Sequence, residues 1–294
     1  MNMKALVDVT VLHVPDGVKA EQPLQVLYYN SGAAGGVTSP RTVSIVGAGA
    51  EVHLKQVFAG AGSPVSVATA AGAPVVLVNS NTHSTIAAGG KMTHTYVQEM
   101  GLEARHLETL TASVSENAAY EASVLQMGAR IGRMNAHIDL LGLHANGTIN
   151  GTLLPHTRQS LDMHTSILHG APDCVSRQQQ RNVIGDKGEA IFKGRIVVPQ
   201  IAQGTDSDQL CRTLMLGDRA RVIAMPTLEI TADDVECSHG ASVADLDENS
   251  MFYLASRGID RQEARKLLLK GFVYELLDQP MIAGAQCGKP SPGR

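Results

Sequence analysis

GAGAEV at residues 47–52 decides the fold, because its outline returns as AAGGKM at 87–92, QMGARI at 126–131, ANGTIN at 145–150 and DKGEAI at 186–191. Each copy is a Gly-containing turn, a small or polar residue, and then an apolar one. Between the turns lie short runs such as 43–46, 51–57, 92–97, 130–138, 190–198 and 221–230, many alternating apolar with polar residues. That two-residue period belongs to a strand with one buried face, and helical periodicity is weak from 7 to 236. The turn glycines Gly49, Gly89 and Gly128 recur about every 40 residues, and Gly147 follows Gly128 at about half that interval. Repetition of this kind describes coils stacked on one another, none able to bury its apolar face alone. A β-sandwich also sets Gly turns between strands, at intervals of roughly 8 to 12 residues. The pattern alone leaves two all-β architectures open, a sandwich and a parallel β-helix.

A chain of 294 residues can bury roughly 75% of its unfolded surface, ample for a large core. With no Trp, 3% aromatic and 44% apolar residues, that core must be stacked from Val, Ile, Leu, Ala and Met. A net charge of −4 and the lack of any dense Lys/Arg run argue against a nucleic-acid partner. Apolar stretches such as 73–78 fall far short of the roughly 20 residues a membrane helix needs, so no membrane partner is expected. No secretory signal pattern opens the sequence, and Cys174, Cys211, Cys237 and Cys287 lie far apart without CxxC spacing. Free thiols in a reducing compartment are expected: the cytoplasm, or the plastid stroma if the source is a plant or alga.

The strand pattern ends near Asp245, giving an expected β body over residues 1–244, a helical segment over 245–279 and a flexible tail over 280–294. DLDENSMFYLASRG at 245–258 predicts a short helix with Asp247 as its cap and Gly258 just past its end. A second helix follows, with Asp260 and Glu263 at capping-box spacing and an apolar stripe of Ala264, Leu267, Leu268, Phe272, Leu276 and Leu277. Pro280 stops it. So small a hairpin has little core of its own, and its stripe must pack on the β body or on another protein.

Cys237 and His239 are the most suggestive pair for chemistry. If VECSH continues the preceding strand, residues two apart share a face and set a thiol beside an imidazole, both suited to iron or zinc. Two ligands cannot close a tetrahedral site, so a partner chain or labile groups would have to supply the rest. A buried structural Cys beside a hydrogen-bonded His gives the same CxH text. Cys174 and Cys211 read as small core residues, and the other ten histidines are scattered without an HExxH or HxH cluster. No GxSxG elbow and no Walker A sequence occur, so the chain itself is not expected to hydrolyse ATP.

The segment holding Gln203 and Gln209, PTLEI at 226–230, DDVECSHGA at 233–241 and FYLASRGI at 252–259 have a further value. Together they make residues 189–278 resemble the SufB/SufD family of iron-sulfur cluster assembly proteins. VLHVPDGV at 11–18 and the recurrent Gly turns extend the likeness more loosely toward the start. His239 in DDVECSHGA is similar to the SufD-like branch; SufB-like members carry a glutamate-containing sequence there. The resemblance implies a mainly β protein, a right-handed parallel β-helix followed by a short C-terminal α-helical segment. It implies a non-enzymatic scaffold that pairs with a SufB-like subunit and docks the SufC ATPase, whose ATP-driven closure exposes the assembly site. His239, and more weakly Cys237, would then be metal ligands at the SufB interface, holding a transient iron-sulfur cluster shared with the partner chain. SufC docking would fall on Phe252, Leu254, Arg257, Leu268 and Phe272, and ATP would enter only through SufC. In isolation the chain could form a homodimer. The family usually has a long helical segment ahead of its β-helix, whereas this sequence enters the strand pattern at once.

Two rival functions remain at this point. One is a β-helix enzyme acting on carbohydrate or acyl groups, although the regular six-residue repeat of the acyltransferase class is absent. The other is a pure SufC adaptor without cluster chemistry, which would keep the hairpin and need neither Cys237 nor His239.

Overall fold

The computed structural model describes residues 9–30, 36–60 and 75–276, within one compact unit ending at Asp245 and a second beginning at Leu246. Two sheets build the first unit. One runs β1 (Thr10–Val14), β4 (Arg41–Val46), β6 (Val76–Ile86), β8 (Ala104–Val114), β10 (Ile131–Leu140), β12 (Ser160–His169), β14 (Glu189–Val198) and β16 (Arg221–Ile230). The short β3 (Gly36–Thr38) pairs beside β6. The other sheet runs β17 (Val235–Ala244), β15 (Thr205–Met215), β13 (Val175–Ile184), β11 (Asn146–Leu153), β9 (Ala119–Gln126), β7 (Lys91–Glu99), β5 (Glu51–Gly60) and β2 (Leu24–Asn30). Beyond β3 the chain alternates between the sheets, and its strand pairs are parallel. That excludes the antiparallel sandwich and makes a parallel β-helix of about seven coils.

Parallel stacking puts each residue over its counterpart one coil away, so the core is a set of columns. Val14, Val46, Ile86, Val114 and Leu140 are successive register partners, all buried. The column then meets His169, also buried, whose Nε2 lies 2.9 Å from Ser176 Oγ. Polar residues also enter the lumen in the later coils. There Gln209 Nε2 donates to Gln178 Oε1 at 2.6 Å, and Asn182 Nδ2 donates to Thr213 Oγ1 at 2.9 Å. Long amides fit because a glycine faces them: a Cβ on Gly151 would lie 2.0 Å from Gln180 Oε1.

One corner is a ladder of turns. Gly17, Gly49, Gly89, Asn117, His144, Asp173 and Gly204 all have positive φ, and each backbone N–H donates to a carbonyl of the next coil at 2.7–3.4 Å. The expected series Gly49, Gly89, Gly128 needs correction here. Gly128 lies at the opposite corner, where a Cβ would come 2.3 Å from Met100 N and O, and Gly147 lies inside β11. The true successors of Gly89 are Asn117 and His144, two residue types that tolerate the left-handed region. The coil repeat is correspondingly uneven: Glu51 sits opposite Lys91, but Ile131 sits opposite Ser160.

The second unit is a helical pair, α1 (Glu248–Ser256) and α2 (Arg261–Tyr274). Asp247 caps α1 by accepting from Asn249 N and Ser250 N, and Asp260 caps α2 by accepting from Gln262 N and Glu263 N. Gly258, at φ +83°, makes the reversal between them. Arg261 Nη2 reaches back to Glu248 Oε1 at 2.9 Å. The expected tail 280–294, with Cys287, and the stripe residue Leu277 lie outside the described residues.

Candidate functional site

Cys237 and His239 sit on β17, the last strand of its sheet, with β15 on one side and, among the described residues, no strand on the other. Register fixes where they point. Cys237 ends the column Val52, Met92, Tyr120, Gly147, Ser176, Ser207. His239 ends the column Leu54, His94, Ala122, Ile149, Gln178, Gln209. Both therefore occupy lumen-facing positions of the final coil. No further coil among the described residues covers them, and Cys237 is half-buried and His239 exposed. Val243, at the end of the buried lumen column Leu153, Asn182, Thr213, likewise keeps about half of its surface in solvent.

The electrostatics favour a quiet thiol. Burial, reinforced by the negative charge of Asp206, pushes the Cys237 thiol above its ordinary value, so at neutral pH it is chiefly protonated until a metal or cation arrives. Next to His239 in register, Gln209 is buried, and its Oε1 has no hydrogen-bond partner among the described residues. Buried polar atoms of this kind normally find a partner or ordered water. Among the described residues no set of three His, Cys, Asp or Glu side chains is placed to hold a metal ion. Cys237 and His239 can contribute two soft or borderline donors to a site that another molecule completes.

The helical residues divide by exposure. Phe252 is 77% exposed, and Tyr253, Leu267 and Tyr274 are about half exposed. Ala264, Met251 and Leu276 are buried, while Leu254, Leu268 and Phe272 are partly buried. The stripe is thus Ala264, Leu268, Phe272 and Leu276; Leu267 falls outside it. Arg257 is exposed and lies over the Tyr253 ring, 5.3 Å from its centroid.

Cys174 and Cys211 are buried, as expected of core residues, and burial raises the Cys211 thiol to about 11. The histidines are less scattered than their spacing suggests. His94 and His106 are buried in the lumen with Tyr96, Tyr120 and Glu108: Tyr96 Oη lies 2.5 Å from His106 Nε2, and His94 Nδ1 lies 2.8 Å from Tyr120 Oη. Tyr96 also reaches Glu108 Oε2 at 3.4 Å, and Ser80 hydrogen-bonds the same oxygen. Burial raises the Glu108 carboxyl to about 7, and burial lowers the imidazoles of His94 to about 4 and of His106 to about 3.

A parallel β-helix whose last described coil carries a thiol and an imidazole at lumen positions, followed in the chain by a capped helical pair, defines the class: a β-solenoid protein with a helical C-terminal unit. The chain belongs to the SufBD family: the family model described as SUF system FeS cluster assembly, SufBD core domain, matches residues 28–272. It is 32% identical over 282 residues to Protein ABCI7, chloroplastic, of Arabidopsis thaliana, covering 92% of this chain and 57% of that one. It is 35% identical over 186 residues to the iron-sulfur cluster assembly protein SufD of Escherichia coli, covering 61% and 44%. With the SufB protein of Bacillus subtilis it shares 27% identity over 262 residues, covering 89% and 54%. The chain spans about half the length of these curated relatives. No helix among the described residues is long and apolar enough to cross a membrane.

Proposed function

We propose that this chain is the SufD-like half of a cluster-building pair. The open last coil, β16 and β17, meets a SufB-like subunit; the helical pair holds the SufC ATPase; and ATP-driven motion of SufC separates the end faces to admit iron and sulfide. The single observation that carries this reading is that Cys237 and His239 occupy lumen positions of the one coil whose lumen face opens outward at this end. An iron-sulfur cluster is cargo here, not a resident cofactor. His239 offers it an accessible imidazole, and Cys237 a thiol that must lose its proton as the metal binds, which makes assembly slower at low pH. The non-enzymatic role and a location in cytoplasm or plastid belong to the same reading, supported by the names of the relatives.

The test is co-purification with SufB and SufC followed by iron and sulfide analysis. His239→Ala should leave the complex intact and reduce cluster assembly by roughly 10-fold to 100-fold, the usual effect of losing a metal ligand or its immediate partner. Normal assembly by the variant would leave the pure SufC adaptor as the better reading.

A further inference from the structure

Three successive turns at the corner opposite the glycine ladder carry positive charge at the same place. The turns are closed by Gln159 N to His156 O, Gly188 N to Gly185 O and Ala220 N to Gly217 O, at 2.9–3.1 Å. Their third residues are Arg158, Lys187 and Arg219. Two positions later, Ser160, Glu189 and Arg221 are register partners, so the three cations form one column along the solenoid. Adjacent strands lie about 4.8 Å apart, and the column therefore spans about 10 Å.

The column and Arg221 line a surface cavity of about 540 Å³. Its carboxylates are Glu189, which accepts from Ser160 Oγ at 2.9 Å, and Asp218. Four cations against two carboxylates leave a local excess of two positive charges on a chain of net charge −4. Elsewhere on the β-helix Arg133, Arg177 and Arg195 are each held by a carboxylate. Among the described residues none of the four cavity cations has such a partner. Like charges on backbone positions stacked about 5 Å apart repel, and an anion lying along the column removes that repulsion. The floor is fixed in advance: buried Gln159 donates to Met127 O and Ala129 O and accepts from His156 N.

We propose that this corner binds a small di- or triphosphate anion, its phosphates running along Arg158, Lys187 and Arg219, with Arg221 as a fourth donor. A chain of phosphates meets one cation at each rung, whereas a lone phosphate reaches one rung and part of the next. Fork-shaped guanidinium groups suit phosphate oxygens, and a Lys adds a point charge.

The test is titration calorimetry on the full chain at constant ionic strength with pyrophosphate, tripolyphosphate, metal-free ATP and inorganic phosphate. Pyrophosphate and tripolyphosphate should bind saturably at one site, at least about 10-fold tighter than inorganic phosphate. ATP matching tripolyphosphate would mean the phosphate chain alone is recognised, and tighter ATP binding would mean a nucleoside is the source; both support the site. The triple variant R158Q/K187Q/R219Q should lose the binding. The single charge change Lys187→Gln, at a half-buried turn position, should weaken it several-fold with unchanged Tm, while the charge-matched control Lys193→Gln should not. Undiminished binding by Lys187→Gln, equal weakening by the control, or tighter binding of a hexaglutamate peptide or a single-stranded oligonucleotide would each overturn the proposal.

Discussion

Glu108 shows how one lumen position sets a property of the whole chain. Its carboxyl is fully buried, and the hydrogen bonds from Ser80 and Tyr96 only partly offset desolvation, which raises it to about 7. The folded value is above the unfolded one, so its contribution to stability is fully present below about 4.5 and is lost as pH rises to about 7. His94 and His106 have the opposite sign. Their folded values lie below the usual 6.5, so their contribution is present above that pH and lost as pH falls toward 4 and 3. Glu108→Gln keeps a neutral acceptor for Ser80 and removes the first titration. It should stabilise the protein by up to about 3 kcal/mol at pH 8 and hardly at all at pH 4.5. Thermal unfolding of both proteins at the two pH values checks this, and a gap independent of pH would show that the fold does not raise the Glu108 carboxyl.

At the scale of single elements, the helical pair separates support from display. Leu268 and Phe272 are partly covered, so an Asp at either position disturbs the pair itself, whereas Phe252 projects almost wholly into solvent. Phe252→Asp should therefore abolish co-purification of SufC with an unchanged circular dichroism spectrum; retained SufC would put docking elsewhere. The helices, their Asp caps and Gly258 were legible in the sequence because each signal is local. The short strands and turns made an all-β fold legible but left sandwich and solenoid both open until the family resemblance chose the solenoid, and the coil period was not legible. The left-handed corner positions of later coils are filled by Asn117, His144 and Asp173, so a search for Gly drifts to Gly128 and Gly147, which serve close packing instead. The shared face of Cys237 and His239 follows from the two-residue period alone. That this face is the lumen requires register, which strand text does not encode. The buried histidines were illegible for a related reason: in KMTHTYVQE the inward set is Met92, His94, Tyr96 and Gln98, half of it polar, so the usual contrast between faces is missing.

Across the whole β-helix, each coil is held by its neighbours, and stability follows nearest-neighbour rules. A middle coil such as β8 with β9 is stacked on both sides, and its lumen residues Leu110, Ala112 and Tyr120 are sealed. Among the described residues the last coil, β16 with β17, is stacked on one side only, and its inward residues Val222, Leu228 and Cys237 are only partly covered. The terminal coil therefore opens at lower free energy than the middle, and a scaffold that must expose ligands on demand benefits from placing them there. Hydrogen exchange should find the amides of β16 and β17 several-fold less protected than those of β8 and β10 in the isolated chain. Addition of a SufB-like partner should raise protection in β16 and β17 selectively, since its end face supplies the missing neighbour. Protection uniform along the solenoid, or a partner effect confined to β1 and β2, would place the interface at the other end and leave Cys237 and His239 outside it.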